Sequence, residues 1–107
     1  MIAAAPPFDT TTVEIPLDGT LSQTVWADEH VKVVVFAFDS GQELSEHRAG
    51  SAATVVVIRG RLDFVLAGDE FSLPAGGFVH MPAGARHALR AVEPTVMLLT
   101  LLRDDRA

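Results

Sequence analysis

The sequence predicts an all-β domain: an antiparallel β-barrel of jelly-roll type, with roughly six to ten strands and no helix longer than about two turns. Three observations lead there. Gly or Pro recurs every several residues from Pro16 onward, which interrupts any 3.6-residue apolar pattern before it can extend. The segments between these breaks are short runs rich in Val, Ile, Phe, Leu and Thr, residues that suit a pleated, half-buried surface. Finally, 107 residues are enough for one domain with a single, limited core.

Residues 1–10 read as a flexible N-terminal arm, frayed or paired with a partner subunit, and residues 11–107 as the single domain. Residues 11–17 read as a first strand, ended by Asp18-Gly19. In residues 21–27, Leu21, Gln23 and Val25 alternate with Ser22, Thr24 and Trp26, the period of a strand. Val31–Phe38 is a strong apolar strand closed by Asp39-Ser40-Gly41, and Glu43–Arg48 is a short polar segment leading into Ala49-Gly50-Ser51. Residues 53–58 are apolar and β-branched, and Arg59-Gly60-Arg61 reads as a tight hairpin link to residues 62–66. Gly68-Asp69 turns the chain into a brief strand at 71–73, before Pro74-Ala75-Gly76-Gly77. Phe78–Met81 and residues 87–92 flank the turn Pro82-Ala83-Gly84. Thr95–Leu102 is nearly all apolar, as expected of a last strand covered on both faces.

Composition narrows the function classes. Hydrophobic residues make up 49% of the chain and mean hydropathy is +0.30, high for a small soluble monomer. Part of that surplus is expected in a subunit interface, so a homodimer is predicted with residues 11–27 as its main contributor. The formal charge of −6, from 14 acidic against 8 basic residues with no basic block, argues against nucleic acid or an anionic membrane as partner. Cysteine is absent, which excludes disulfides, thiolate ligands and a cysteine nucleophile. Tyrosine is absent too, so no phenol can act as a general acid. The first seven residues carry no positive side chain and too short an apolar run for a secretory signal. The apolar stretch 96–102, interrupted by Thr100, is far short of the ~18 residues of a membrane helix. A soluble, cytoplasmic protein is expected.

Chemistry is concentrated in histidines. His47 and His87 lie 40 residues apart and each follows a turn signal, Gly41 in one case and Pro82-Ala83-Gly84 in the other. If a closing sheet brings them together, two imidazoles face one cavity, and divalent metal binding is the leading hypothesis. His80, two residues before the Pro82 turn, is the candidate third nitrogen. His30, beside Asp28-Glu29, reads as a surface residue. Strand parity places Glu43 and Ser45 on the face of His47, with Glu43 about 13 Å away along an extended strand, and turns Glu46 to the opposite face. Ser45 beside His47 lacks the orienting acid and oxyanion hole that a nucleophile requires. Arg48 and Arg86 each adjoin a candidate ligand, so alternation points them away from it. Trp26, Phe36, Phe38, Phe64, Phe71 and Phe78 fall within strand runs and read as core or interface.

Over residues 30–102 the chain resembles a small single-domain bacterial cupin of the RmlC-like superfamily. The first motif of that family reads G-x5-H-x-H-x3,4-E-x6-G, and Gly41, His47 and Gly60 match it. The second reads G-x5-P-x-G-x2-H-x3-N, and Gly76, Pro82, Gly84 and His87 match it. The departures are Ala49 for the second histidine, Ala53 for the glutamate and Ala91 for the terminal asparagine. The resemblance implies a double-stranded β-helix and a divalent metal (Zn, Ni, Fe, Mn or Cu) of which only His47 and His87 remain as usual ligands. A set this reduced implies a weakly held ion. The three alanines are expected to enlarge the cavity and suit an apolar ligand. Two functions follow: a small-molecule-binding module, or a metal-dependent enzyme of dioxygenase, isomerase or decarboxylase type acting on a small oxyacid. The metal-free sugar-epimerase branch needs a tyrosine acid that this chain lacks.

Overall fold

A computed structural model describes residues 6–103. They form β1 (Thr20–Ala27), β2 (Val31–Phe38), β3 (Glu43–Arg48), β4 (Ala53–Arg59), β5 (Arg61–Leu66), β6 (Asp69–Pro74), β7 (Phe78–Met81), β8 (Arg86–Ala91) and β9 (Thr95–Leu102). The strands pair antiparallel in two sheets, one ordered β1-β2-β9-β4-β7 and the other β3-β8-β5-β6. Neighbours such as β2 and β9, or β3 and β8, are distant in sequence, so the chain crosses repeatedly between the sheets and closes a jelly roll. Among the described residues no helix is long and apolar enough to cross a membrane.

Period-two alternation builds the core. In β4, Ala53, Val55 and Val57 are buried while Thr54, Val56 and Ile58 are half-buried. Inward residues of both sheets, including Phe38, Val57 and Met97 from one and Leu62, Phe64 and Leu89 from the other, meet in one cluster. Fully burying side chains of this size contributes about 1.5–3 kcal/mol each. The β4–β5 hairpin turns on Gly60, whose φ is +90°. The buried Thr95 braces that turn: its hydroxyl donates to the Glu93 carbonyl (2.7 Å) and accepts from the Arg61 N–H (3.1 Å).

The first strand expected at 11–17 does not form. Thr10–Thr12 makes a single 3-10 turn, capped by Asp9, which accepts from the Thr11 N–H (2.9 Å) and hydroxyl (2.6 Å). An aspartate ahead of three threonines offers the backbone local partners that compete with a sheet ladder, and Pro16 has no N–H to give one. Val13 and Ile15 instead lie on the outer face of the five-stranded sheet, against Val35, Ala37 and Val96. The N-terminal arm expected over residues 1–10 falls partly outside the described residues. The short polar segment Glu43–Arg48 forms strand β3, as the parity argument around His47 assumes. A register shift between Thr24 and Trp26 breaks the alternation read for β1 and pairs Trp26 with Val33.

Candidate functional site

The site depends on an irregularity in β3. Leu44 pairs with Leu89 and His47 with His87, so three steps along β3 match two along β8. The extra residue is a β-bulge, and it resets the parity of the strand. Leu44 and His47 therefore face the same cavity, while Glu43, Ser45 and Glu46 are exposed and line no part of it. The parity argument that put Glu43 and Ser45 on the face of His47 assumed an unbroken ladder, and the bulge overturns it. In β8 the alternation is regular: His87, Leu89 and Ala91 are buried while Arg86 and Arg90 are exposed.

His47 and His87 sit directly opposite each other, with ring centroids 4.1 Å apart and planes inclined at 62°. His47 is exposed and His87 only 7% so, which sets the pair at the boundary between solvent and barrel interior. Each ring is oriented by its own strand. The His47 Nδ1–H donates to the Ser45 carbonyl oxygen at 2.9 Å, and the His87 Nδ1–H to the Ala85 carbonyl at 3.3 Å. A carbonyl can only accept, so in each neutral ring the proton stays on Nδ1 and the lone pair on Nε2 is free. This is the arrangement by which ligating histidines are commonly pre-set. Phe64 stacks on His87 from within, at 6.4 Å between centroids and 13° between planes.

Behind the pair lies a cavity of ≈80 Å³, walled by Phe36, Leu44, Val55, Phe64, Met81, Met97 and neighbouring leucines. The larger cavity expected from Ala49, Ala53 and Ala91 is not formed. All three alanines are buried, but none lines the cavity; Met81, the register partner of Ala53, does. His80 is not brought to the pair. It is exposed on β7 between buried Val79 and Met81, facing out from the five-stranded sheet. His30 is likewise exposed, with Nε2 3.2 Å from Glu29. Among the described residues no three His, Asp or Glu side chains gather as a metal site. Arg48 and Arg86 point away, as alternation requires; Arg48 donates to the Gly84 carbonyl (3.2 Å) and Arg86 lies 3.8 Å from Glu46 at the surface. Sequence reading missed Leu44, Met81 and Met97 as cavity walls. The strand period carried the signal for Met81 and Met97, while the bulge concealed Leu44.

Burial holds the His87 imidazole below its ordinary value. The Ala85 carbonyl opposes that shift, and the neighbouring His47 adds to it. The folded protein therefore takes up this proton less readily than the unfolded chain. The stabilisation is complete above the unfolded value near 6.5 and is lost as pH falls through the lower folded value. Chelator-treated protein is expected to melt at a lower temperature at pH 5.5 than at pH 7.5, and His87→Phe should flatten that slope. An equal slope in the variant would assign the effect elsewhere.

A family model described as Cupin domain matches residues 34–101, which spans both strands that carry the histidines. The chain belongs to the cupin family. A conserved protein of unknown function from Streptococcus pyogenes is 32% identical, with 98% of this chain and 93% of that one covered at a TM-score of 0.86. An RmlC-like cupin from Desulfovibrio desulfuricans is 26% identical, over 94% of this chain and 97% of the other, with a TM-score of 0.82. A cupin superfamily protein from Desulfitobacterium hafniense shares the fold at 19% identity, covering 95% of this chain and 100% of its own, with a TM-score of 0.86. No functionally curated protein matches the chain. Because cupins host many chemistries on one barrel, function has to be argued from the histidine pair.

Proposed function

We propose that this cupin binds a small oxyacid at a weakly held divalent metal, the ion resting on Nε2 of His47 and Nε2 of His87. The observation carrying this reading is the pair itself: two rings at 4.1 Å, each with Nδ1 tied to a backbone carbonyl. The residues fit half a coordination shell. Imidazole suits Zn, Ni, Cu or Fe, whereas Mn, Mg and Ca favour the carboxylates that this cavity lacks. A bound ion would supply Lewis acidity to a carboxylate or enediol and leave positions open for its oxygens.

The chain's own residues do the rest. Burial keeps His87 neutral near pH 7, so its lone pair is available there. Phe64 fixes the plane of that ring, and the apolar wall excludes water from the inner side. A cavity of ≈80 Å³ admits only a few atoms, so the body of the ligand stays at the mouth beside the exposed His47. Apart from the two imidazoles, no acid or base lines the cavity. That favours the binding module over an isomerase, which needs a separate proton carrier.

Calorimetry with oxalate or lactate is the test. Affinity for the zinc- or nickel-loaded protein is expected to exceed that for chelator-treated protein by at least about tenfold, and the acid should tighten metal binding by the same factor. Equal affinity for both forms would mean that the histidines do not present a metal to the ligand.

A further inference from the structure

The cavity behind the histidine pair holds side-chain donors besides the two imidazoles. Apart from Met1 the chain has two methionines, Met81 and Met97, and both line this cavity. Both are buried. The remaining wall is phenylalanine, leucine and valine, with no carboxylate, amide or hydroxyl side chain. Polarizable thioether sulfur is thus the one side-chain donor that can join the two Nε2 lone pairs. The strand register separates the two methionines by depth. Met81 ends β7, and only the turn at 82–85 divides it from β8 and His87. Its register partner Ala53 supplies no oxygen at that level. Met97 pairs with Val57, four residues farther along β4 toward the Thr95 end. Met81 therefore shares the end of the barrel that carries the histidines, and Met97 lies deeper.

Building on the paired-imidazole centre, we propose that its preferred ion is copper(I), with the Met81 thioether as third ligand from the inner side. Softness supports that ion. Thioether ligands favour copper(I), and imidazole suits copper as well. Zinc takes its sulfur as cysteine thiolate, and this chain has no cysteine. Charge supports it too. Two imidazoles and a thioether are all neutral, and no carboxylate lines the cavity to offset a second positive charge. The cost of desolvating an ion grows with the square of its charge, so an apolar wall penalises a single charge far less than a double one. A divalent ion held by the imidazoles alone needs the oxygens of an oxyacid to fill its shell. Copper(I) fills its shell from the protein.

Competition with bicinchoninate under anaerobic, reducing conditions measures the copper(I) affinity, and competition with a chromophoric chelator measures that for zinc. Copper(I) is expected to bind the unaltered protein at least about 100-fold more tightly than zinc. Met81→Leu conserves volume and removes the sulfur, so the core should stay packed. The ratio of copper(I) to zinc affinity should fall at least about tenfold in that variant. X-ray absorption of the copper(I)-loaded protein should show one sulfur neighbour at about 2.3 Å, the scale of a metal–sulfur bond, and none in Met81→Leu. An unchanged ratio in Met81→Leu, or a copper shell of nitrogen alone, overturns the proposal, while retained zinc would leave the paired-imidazole centre standing. Failure of the unaltered protein to hold either metal would remove that centre as well.

Discussion

Gly60→Ala is expected to be the most damaging single-methyl substitution in the barrel, at about 2–6 kcal/mol out of a total of ~5–15 kcal/mol. Two effects combine. Gly60 has φ +90°, a conformation L side chains rarely adopt, and holding alanine there costs roughly 1–3 kcal/mol. The added Cβ would also collide with the Thr95 hydroxyl and the Pro94 carbonyl, and would stand 2.7 Å from Thr95 Cα. Thr95 is fully buried and its hydroxyl joins the Glu93 carbonyl to the Arg61 N–H, so moving it leaves polar groups without partners at a further 1–3 kcal/mol or so. Gly68→Ala is the matched control. Its φ is +89°, but a Cβ there meets nothing within 4 Å, so only the backbone cost applies. Urea denaturation of the two variants separates the effects. Equal losses would mean that the turn yields around the methyl group and that Thr95 is not a rigid brace.

That contrast marks the limit of what the residues alone could tell. Gly60 was legible as a turn from Arg59-Gly60-Arg61, yet its neighbour Thr95 is 35 positions away and only the β9–β4 pairing brings it close. The same holds across the fold. Strands that are nearly continuous apolar runs, such as Val31–Phe38 and Thr95–Leu102, carry their limits in their composition and form at those limits. Bulges carry no such mark. Those in β1 and β3 each insert one residue, and each turned a parity argument around, for Trp26 in one case and for Glu43 and Ser45 in the other. The histidine pair was legible because a turn precedes each ring and the family spacing is kept. The cavity's small volume was not legible. Substituting alanine for larger residues suggests room, but Met81, reaching in from β7, was counted only as part of its own strand.

Substituting either histidine of the pair is expected to abolish metal retention, the larger of the effects on function. Removing an outer hydrogen-bond partner of a metal ligand already costs about 10–100-fold in affinity, and removing one of only two protein ligands must cost more. His47→Ala and His87→Ala should therefore each lower zinc or nickel affinity by at least about 100-fold, and the double variant should add little, because one imidazole does not make a site. His30→Ala and His80→Ala are the controls. His80 faces out from the five-stranded sheet and His30 is exposed beside Glu29, so both variants should bind as the unaltered chain does. The two site variants should differ in stability. His47 is exposed, so its loss leaves the fold intact, whereas His87 is buried against Phe64 and its truncation opens a void in the cavity wall. His87→Phe leaves no void, since its larger ring can extend into the apolar cavity beside it, and removes the lone pair, so it should stay folded and bind no metal. Retained affinity in His47→Ala together with loss in His80→Ala would move the site to the outer face of the sheet and refute the paired-imidazole centre.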